Sequence, residues 1–473
     1  MDTIGNIIFT AWQNIISKSQ NPLVLFLCVF FVVFLSAPLF RKLAITFNIL
    51  DIPNNRKVHK EPTPLLGGLA VYIGVILGLV LNLANLRPFS GLIIGSTIIL
   101  IIGLIDDMKG LSATFRLIVQ FVAALIIIGS GVRFSFLPNN LWGDAGEIIL
   151  TLIWVIGITN ALNYLDGIDG LAAGIACIIT LFFSIICYQT NQIGLAFANM
   201  ALAAGCLGFL PHNFKKAKIF LGSAGSTFIG FAIAGMAMIG KWAEDDVVKL
   251  AVPILLLGVP IFDMVFTTIM RIKEKKISTI IEWLKYKDKD HFHHRLIDLG
   301  LHPTEVAFFI YCVGISFGIS GIMVSNEKAI VGVLSIMQAF IIFTVIAILM
   351  VVGNRIRANE NAKQIPIINT RLEEVALERQ KKIDETNVFY ASAEWRLIRK
   401  LVIKEQGCIC QECGRRIRND YDLTVDHIKP RSKFPELALD KSNLQILCRR
   451  CYSAKGATYD ESSMTAVPSS PML

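Results

Sequence analysis

Charge is scarce in this sequence. Only 17% of its 473 residues are Asp, Glu, Lys or Arg, against roughly a quarter in soluble domains, which excludes an ordinary cytoplasmic enzyme. Residues 1–20 lack a basic start followed by a cleavable apolar core, so no signal peptide is expected and the first hydrophobic run is expected to act as an uncleaved anchor. Cysteines are few over most of the chain. Cys28, Cys177, Cys187, Cys206 and Cys312 stand singly in apolar runs, as small buried hydrophobes do. The other five, Cys408, Cys410, Cys413, Cys448 and Cys451, crowd into the last 66 residues.

What is abundant is apolar sequence, 54% of the chain, with a mean hydropathy of +0.60. The average hides two regimes. Charged residues make up 44 of the first 353 positions but 37 of the last 120, a membrane body followed by a soluble tail. A helix crossing about 30 Å of hydrocarbon needs roughly 20 apolar residues. Eleven such runs are expected near 21–40, 67–86, 90–105, 115–132, 147–163, 171–188, 193–211, 219–240, 247–270, 304–324 and 329–353. Loops after odd-numbered runs hold eighteen Lys and Arg and the opposite side holds six, so the N-terminus is expected outside and the tail in the cytoplasm.

The chemically loaded loops all fall on that cytoplasmic side. Asp106-Asp107 ends the third run, where adjacent carboxylates suit a cation or a proton, and a solvated helix end would explain them as well. The next loop reads Asn160-Ala161-Leu162-Asn163-Tyr164-Leu165-Asp166-Gly167-Ile168-Asp169-Gly170. A plain turn needs the glycines but not two amides and two carboxylates, and oxygen donors of this kind suit Mg²⁺ beside substrate phosphates. Phe220-Leu221-Gly222-Ser223-Ala224-Gly225-Ser226 opens a helix with small residues, either as a phosphate seat or as close helix packing. Asp263 lies inside the ninth run, an intramembrane carboxylate that is a functional candidate or a partner for another helix. Three of the seven histidines, His291, His293 and His294, stand beside Arg295. Without cysteines nearby they fit a pyrophosphate better than zinc.

Taken with Arg56-Lys57-Val58-His59-Lys60 and Pro64-Leu65-Leu66-Gly67-Gly68, these motifs resemble, in order and topology, the polyprenyl-phosphate N-acetylhexosamine-1-phosphate transferases over about residues 20–355. The resemblance is closer to the branch that starts O-antigen, lipopolysaccharide or teichoic-acid glycans in cell-wall biogenesis than to the muramyl-pentapeptide branch. It implies a bacterial inner-membrane enzyme in which a UDP-N-acetylhexosamine gives its sugar-1-phosphate to undecaprenyl phosphate and UMP leaves. It further implies Asp106 and Asp107 beside the acceptor phosphate with Asp106 as base, Asn163 on Mg²⁺ (or Mn²⁺), and Asp166 and Asp169 on the nucleotide side. His291, His293, His294 and Arg295 would meet the donor, with Lys60, Asn160, Gly222 and Asp263 completing the binding set. Where the family pattern has a Mg²⁺-ligating Asp after Phe-x-Gly, this chain has Ser223, and reduced activity is expected.

In the tail, Cys410-x-x-Cys413 and Cys448-x-x-Cys451 have the spacing of a structural tetrahedral zinc site. Residues 354–392 read as a polar linker, helical over 370–385, before a basic amphipathic helix at 395–406. Asp426-His427 and Asn443 between the knuckles resemble the HNH nuclease module over about 393–457. That resemblance implies His427 as the base that activates water, Asp426 as a metal ligand and Asn443 as the residue orienting the histidine. The residue after the last cysteine, commonly His or Asn and a metal ligand there, is Tyr452. A zinc module that only contacts nucleic acid or protein is an equal reading.

The expected whole is an all-α polytopic membrane protein of about eleven transmembrane helices (1–353). A linker (354–392), a small cytoplasmic α+β zinc-binding domain of HNH type (393–457) and a disordered end (458–473) follow. Expected partners are the UDP-sugar, undecaprenyl phosphate, membrane lipids, DNA or RNA at the tail, and a second copy of the chain. The rival reading is a membrane-tethered HNH-like nuclease or nucleic-acid binder on a transferase-derived scaffold.

Overall fold

The computed structural model describes residues 21–53, 61–82, 86–138, 140–277, 279, 290–325 and 327–455. Lys60 with the rest of the basic segment 56–60, and the expected end 458–473, lie outside the described residues. The chain divides into two compact units, Met1–Ala358 and Asn359–Leu473.

The first unit is a helical bundle. Its helices are α1 (Pro22–Thr46), α2 (Gly67–Asn82), α3 (Ser90–Lys109), α4 (Ala113–Gly129), α5 (Leu141–Leu165), α6 (Leu171–Gln189) and α7 (Ile193–Asn213). They continue with α8 (Gly222–Ile239), α9 (Asp246–Leu256), α10 (Gly258–Lys273), the short α11 (Phe292–Asp298), α12 (Pro303–Val324) and the start of α13 (Ala329–Ala391). A two-residue antiparallel pair, β1 (Leu50–Asp51) with β2 (Thr63–Pro64), joins α1 to α2. Polar side chains cap several helix starts, Ser112 on α4, Asn140 on α5 and Asp245 on α9, each accepting a backbone N–H that the helix leaves unpaired.

Each expected apolar run carries a helix, but among the described residues fewer than eleven are long and apolar enough to cross by themselves. Eight helices are long and apolar enough alone, and α9 with α10 makes a ninth only if the pair, bent by 77°, counts as one span. The 17 residues of α4 reach about 26 Å, short of about 30 Å of hydrocarbon.

The helix α8 is the centre of the bundle, with 83% of its apolar window buried, while the membrane part of α13, Ala329–Arg357, has 11% buried and faces outward. The sequence explains the difference. A side chain on Gly68 would strike the backbone of Gly225, and one on Gly103 would strike that of Ala224. Small residues let α2 and α3 press directly on the start of α8, the usual means of close helix approach in lipid. Large apolar side chains such as Phe31, Phe115, Ile269, Phe308 and Phe340 remain on the outside, as a lipid-facing surface requires.

The second unit has its own small core, Trp395, Val402, Ile417, Leu423, Val425, Leu444, Ile446 and Leu447. Helix α14 (Ala393–Gln406) packs on the antiparallel pair β3 (Leu423–His427) and β4 (Leu444–Cys448), followed by α15 (Arg449–Lys455). Residues 354–391, read from sequence as a linker with one helical stretch, are helical throughout as part of α13.

Candidate active site at the ends of the bundle helices

The turn before α8 is built by pairing with the Pro64–Gly68 motif. Phe220 donates its N–H to the Pro64 carbonyl at 2.8 Å, while Gly67 and Gly68 donate to the carbonyls of Phe220 and Leu221 at 3.0 Å each. Gly222 then takes φ +72°, and a side chain there would collide with the Asp107 carboxylate. Glycine is required for both reasons. Asp107, at the end of α3, accepts the N–H of Ser223 at 2.8 Å and of Ala224 at 3.2 Å. It sits on the first free N–H groups of α8, where the helix dipole favours an anion.

Asp106 and Asp107 diverge in role. Asp106 accepts the N–H of Leu111 at 2.7 Å and pairs with Arg116 at 2.9 Å, so one carboxylate closes the α3–α4 corner and its neighbour remains turned to α8. In the following loop, Asn160 exchanges hydrogen bonds with Gln120 at 2.7 and 3.3 Å, and Asn163 accepts the Ser226 hydroxyl of α8 at 3.3 Å. Asp169 accepts the N–H of Ala217 at 2.9 Å, and Gly170 donates to Asn213 at 3.0 Å. Those bonds tie the lysine-bearing 215–218 turn to the loop. Burial first, then the negative fields of Asp107, Asp169 and Asp51, pushes the Asp166 carboxyl up to about 7. Carboxylates that raise one another in this way form a cluster short of positive charge. A polar groove beside Asn163 is lined by Arg116, Gln120, Asn160, Tyr164 and Met264.

The histidine motif joins the same region from the other end of the sequence. Asp263, fully buried in α10, accepts the N–H of Phe292 at 2.6 Å and meets His291 Nδ1 at 3.1 Å. Arg271 grips Asp290 with two bonds of 3.0 and 2.6 Å, both side chains being almost completely buried. His291 stacks on Tyr164 of α5, ring centroids 4.7 Å apart. His293 is fully buried against Gly167, where any side chain would strike its Nε2. Neither ring nitrogen of His293 has a partner, and burial holds its pKa down to about 3, so the ring is neutral. The His294 ring lies 4.3 Å from it. Arg295 donates to the Asp290 carbonyl and to Glu274, each at 3.0 Å.

Thus Asp107, Asn163, Asp166, Gly222, Ser223 and the His291–His293 pair converge through α5, α8 and the 160–170 loop. Asp106, Asn160 and Asp169 are committed to neighbouring protein groups, and Asp263 is the structural anchor of the histidine motif. Sequence reading missed Gln120, Tyr164, Asn213, Arg271 and Asp290. Of these, Tyr164 and Asp290 carried a local signal, their adjacency to Asn163 and His291; the others look like any polar residue in a helix.

In the second unit, Cys410, Cys413, Cys448 and Cys451 bring their sulfurs within 4.8 Å of one another. The Cys413–Cys448 separation of 3.8 Å is close to the edge of a tetrahedron with bonds of about 2.3 Å. Burial works against ionisation of Cys410, yet the N–H groups of Cys448, Cys413 and Glu412 outweigh it and bring that thiol down to about 6. Asn443 clasps the loop after β3 by accepting from Lys429 N at 2.8 Å and donating to the Lys429 and Leu437 carbonyls at 3.1 Å.

Comparison with known proteins places these features. The glycosyl transferase family 4 profile matches residues 89–241, and the HNH endonuclease profile matches 410–458. A Bacillus subtilis protein named "Probable undecaprenyl-phosphate N-acetylglucosaminyl 1-phosphate transferase" is 33% identical over 336 residues, covering 70% of this chain and 90% of that protein. A decaprenyl-phosphate N-acetylglucosaminephosphotransferase of Mycolicibacterium smegmatis is 35% identical over 315 residues, 59% of this chain and 76% of its own. The undecaprenyl-phosphate alpha-N-acetylglucosaminyl 1-phosphate transferase of Escherichia coli K12 is 25% identical over 308 residues, 63% and 81% respectively. The chain is a multi-pass membrane protein that belongs to glycosyl transferase family 4 and carries an HNH endonuclease-type module near its C-terminal end.

Proposed function

We propose that the bundle transfers N-acetylhexosamine-1-phosphate, N-acetylglucosamine-1-phosphate by the names of its relatives, from a UDP-sugar to undecaprenyl phosphate. An oxygen of the lipid phosphate attacks the sugar-linked phosphorus, a new P–O bond forms, the bridging P–O bond to the nucleotide breaks, and UMP leaves with that oxygen. The observation that carries the reading is the meeting of Asp107, Asp166 and Asn163 beside the first turn of α8.

This donor set fits a hard divalent cation, because the Asp107 field adds to the cost of ionising Asp166 and no cation of the protein is paired to either among the described residues. Asp107, Asp166 and Asn163 would hold Mg²⁺ or Mn²⁺, which when bound offsets the repulsion between the two phosphates. The protein's own groups do the rest. The two Asp107 hydrogen bonds fix its carboxylate, and His293 offers two unengaged ring nitrogens to the donor's phosphates or sugar. Arg295, held by Asp290 and Glu274, adds positive charge on that side. Ser223 supplies a neutral hydroxyl where a carboxylate would ligate more strongly, so turnover is expected to be low.

By the distribution of cations this face lies in the cytoplasm, with the N-terminus outside. The four cysteines hold zinc, which staples the tail module; exposed Arg415, Arg416 and Arg418 make nucleic-acid phosphates its fitting partner. The decisive experiment is Mg²⁺-dependent UMP release by membranes containing the chain, given undecaprenyl phosphate and a panel of UDP-N-acetylhexosamines. No UMP from any donor overturns the transferase reading.

A further inference from the structure

The Asp426-His427 pair ends strand β3, and neither residue is open. Lys455 Nζ lies 2.7 Å from Asp426 Oδ2 and 2.7 Å from the His427 carbonyl oxygen. It comes from the last turn of α15, three residues beyond Tyr452. The His427 ring is only 4% exposed, stacked on Trp395 with centroids 5.3 Å apart, and its Nε2 meets the Ala438 carbonyl at 2.9 Å. Nucleases of the type this module resembles place a divalent cation on the carboxylate and complete its shell with His or Asn where this chain has Tyr452. That tyrosine is 47% exposed and offers a neutral phenol.

A hard divalent cation needs several oxygen or imidazole donors around it. Here it would have to expel an ammonium from a charge-assisted pair on Asp426 and the His427 carbonyl, and the residue after the last cysteine offers it a phenol in place of an imidazole or amide. The residues present do not fit the metal. We infer that the Lys455 ammonium is the resident cation of the HNH-type site, so that the module holds no divalent metal on Asp426 and does not hydrolyse phosphodiesters. The lysine does what the metal would do electrostatically, neutralising Asp426 and holding the β3 end to α15. It does not do what the metal would do chemically, because an ammonium has no open coordination position in which to ionise a water. The inference is independent of the transferase reading, since every group in it belongs to the second unit.

The test is Mn²⁺ binding to the full chain in lipid nanodiscs, followed by electron paramagnetic resonance, with zinc content measured in every variant. Because the bundle is expected to bind Mn²⁺ too, differences are read. Asp426→Asn is expected to leave the wild-type Mn²⁺ count unchanged. Tyr452→His with Lys455→Met is expected to add one Mn²⁺, and adding Asp426→Asn to that pair to remove it. Supercoiled plasmid is expected to stay intact with the wild-type chain in Mg²⁺ or Mn²⁺. The inference is overturned if Asp426→Asn alone costs the wild type one Mn²⁺, if a zinc-loaded double variant gains none, or if the wild type nicks plasmid in a manner lost in His427→Ala. Should the double variant lose its zinc, the wild type against Asp426→Asn decides.

Discussion

Replacing Ser223 by Asp tests the cation site most directly. Ser223 is the second residue of α8, and its N–H already binds Asp107 at 2.8 Å. A carboxylate there stands within side-chain reach of Asp107 and of any cation between Asp107 and Asp166. At about 4 Å and an effective dielectric near 20, a carboxylate attracts a dication by roughly 8 kcal/mol and repels another carboxylate by roughly 4. The α8 dipole adds about 0.3–1 kcal/mol in its favour. Repulsion from Asp107 and the more distant Asp166 holds a proton on the ion-free cluster, and displacing that proton offsets much of the attraction; a gain on the order of 1.5–4 kcal/mol remains, so Mg²⁺ half-saturation should fall about 10- to 10³-fold. The assay is UMP release against Mg²⁺ concentration, and turnover should rise alongside. Without divalent cation the same variant should melt below the wild type, because the third carboxylate is then uncompensated, and Mg²⁺ should reverse the order. Unchanged Mg²⁺ dependence with unchanged turnover refutes the assignment of this cluster as the cation site.

Three further outcomes follow from the same geometry. The Asp166 carboxyl is raised to about 7 from an ordinary value near 4, so the folded state holds an extra proton between those pH values. In chelator, stability is therefore greatest below pH 4 and falls by up to about 4 kcal/mol as pH rises to 7. Melting curves should show that slope in the wild type and a shallower one in Asp166→Asn, and saturating Mg²⁺ should flatten both. Arg271→Ala strands Asp290 in a buried site, which should cost about 3–5 kcal/mol; Arg271→Ala with Asp290→Ala should recover much of the loss in thermal unfolding. Cys448→Ser should abolish zinc binding measured by elemental analysis and unfold the 393–455 module, read by proteolysis, while UMP release by the bundle persists.

Much of this was legible in the sequence because it is written in short range. Asp106-Asp107, the 160–170 loop, Phe220-Leu221-Gly222 and the histidine motif each announce themselves within ten residues, and the paired cysteine knuckles do so at twice that distance from a shared centre. What stayed hidden is pairing across helices. Nothing local separates Asp106, spent on Arg116, from Asp107, aimed at α8; the difference is which side of one helix turn each faces. Asp263 reads equally as a functional acid or a partner for another helix because it lies in an apolar run, and its partners, Phe292 N and His291, are 29 and 28 residues away, beyond any local signal. The 77° break between α9 and α10 leaves no trace in hydropathy, and its sequence signal is instead Gly258 and Pro260 at the break, with Pro253 just before it.

The two units also answer the same electrostatic problem in opposite ways. On the readings proposed above, each carries a carboxylate at a divalent-cation position whose expected further ligand is replaced, by Ser223 in one and Tyr452 in the other. In the tail, Lys455 supplies the missing charge from inside the chain, at 2.7 Å. In the bundle, among the described residues, no lysine or arginine pairs with Asp107 or Asp166, and Asp166 is left with a raised pKa. A site that has replaced its metal is neutral and quiet; a site that has merely weakened its metal shell remains under strain until a cation arrives. The substitution at Ser223 therefore weakens a site that still requires its ion, and the substitution at Tyr452 belongs to one that has ceased to need it. Mg²⁺ or Mn²⁺ should stabilise the bundle and leave the melting of the zinc-loaded tail unchanged.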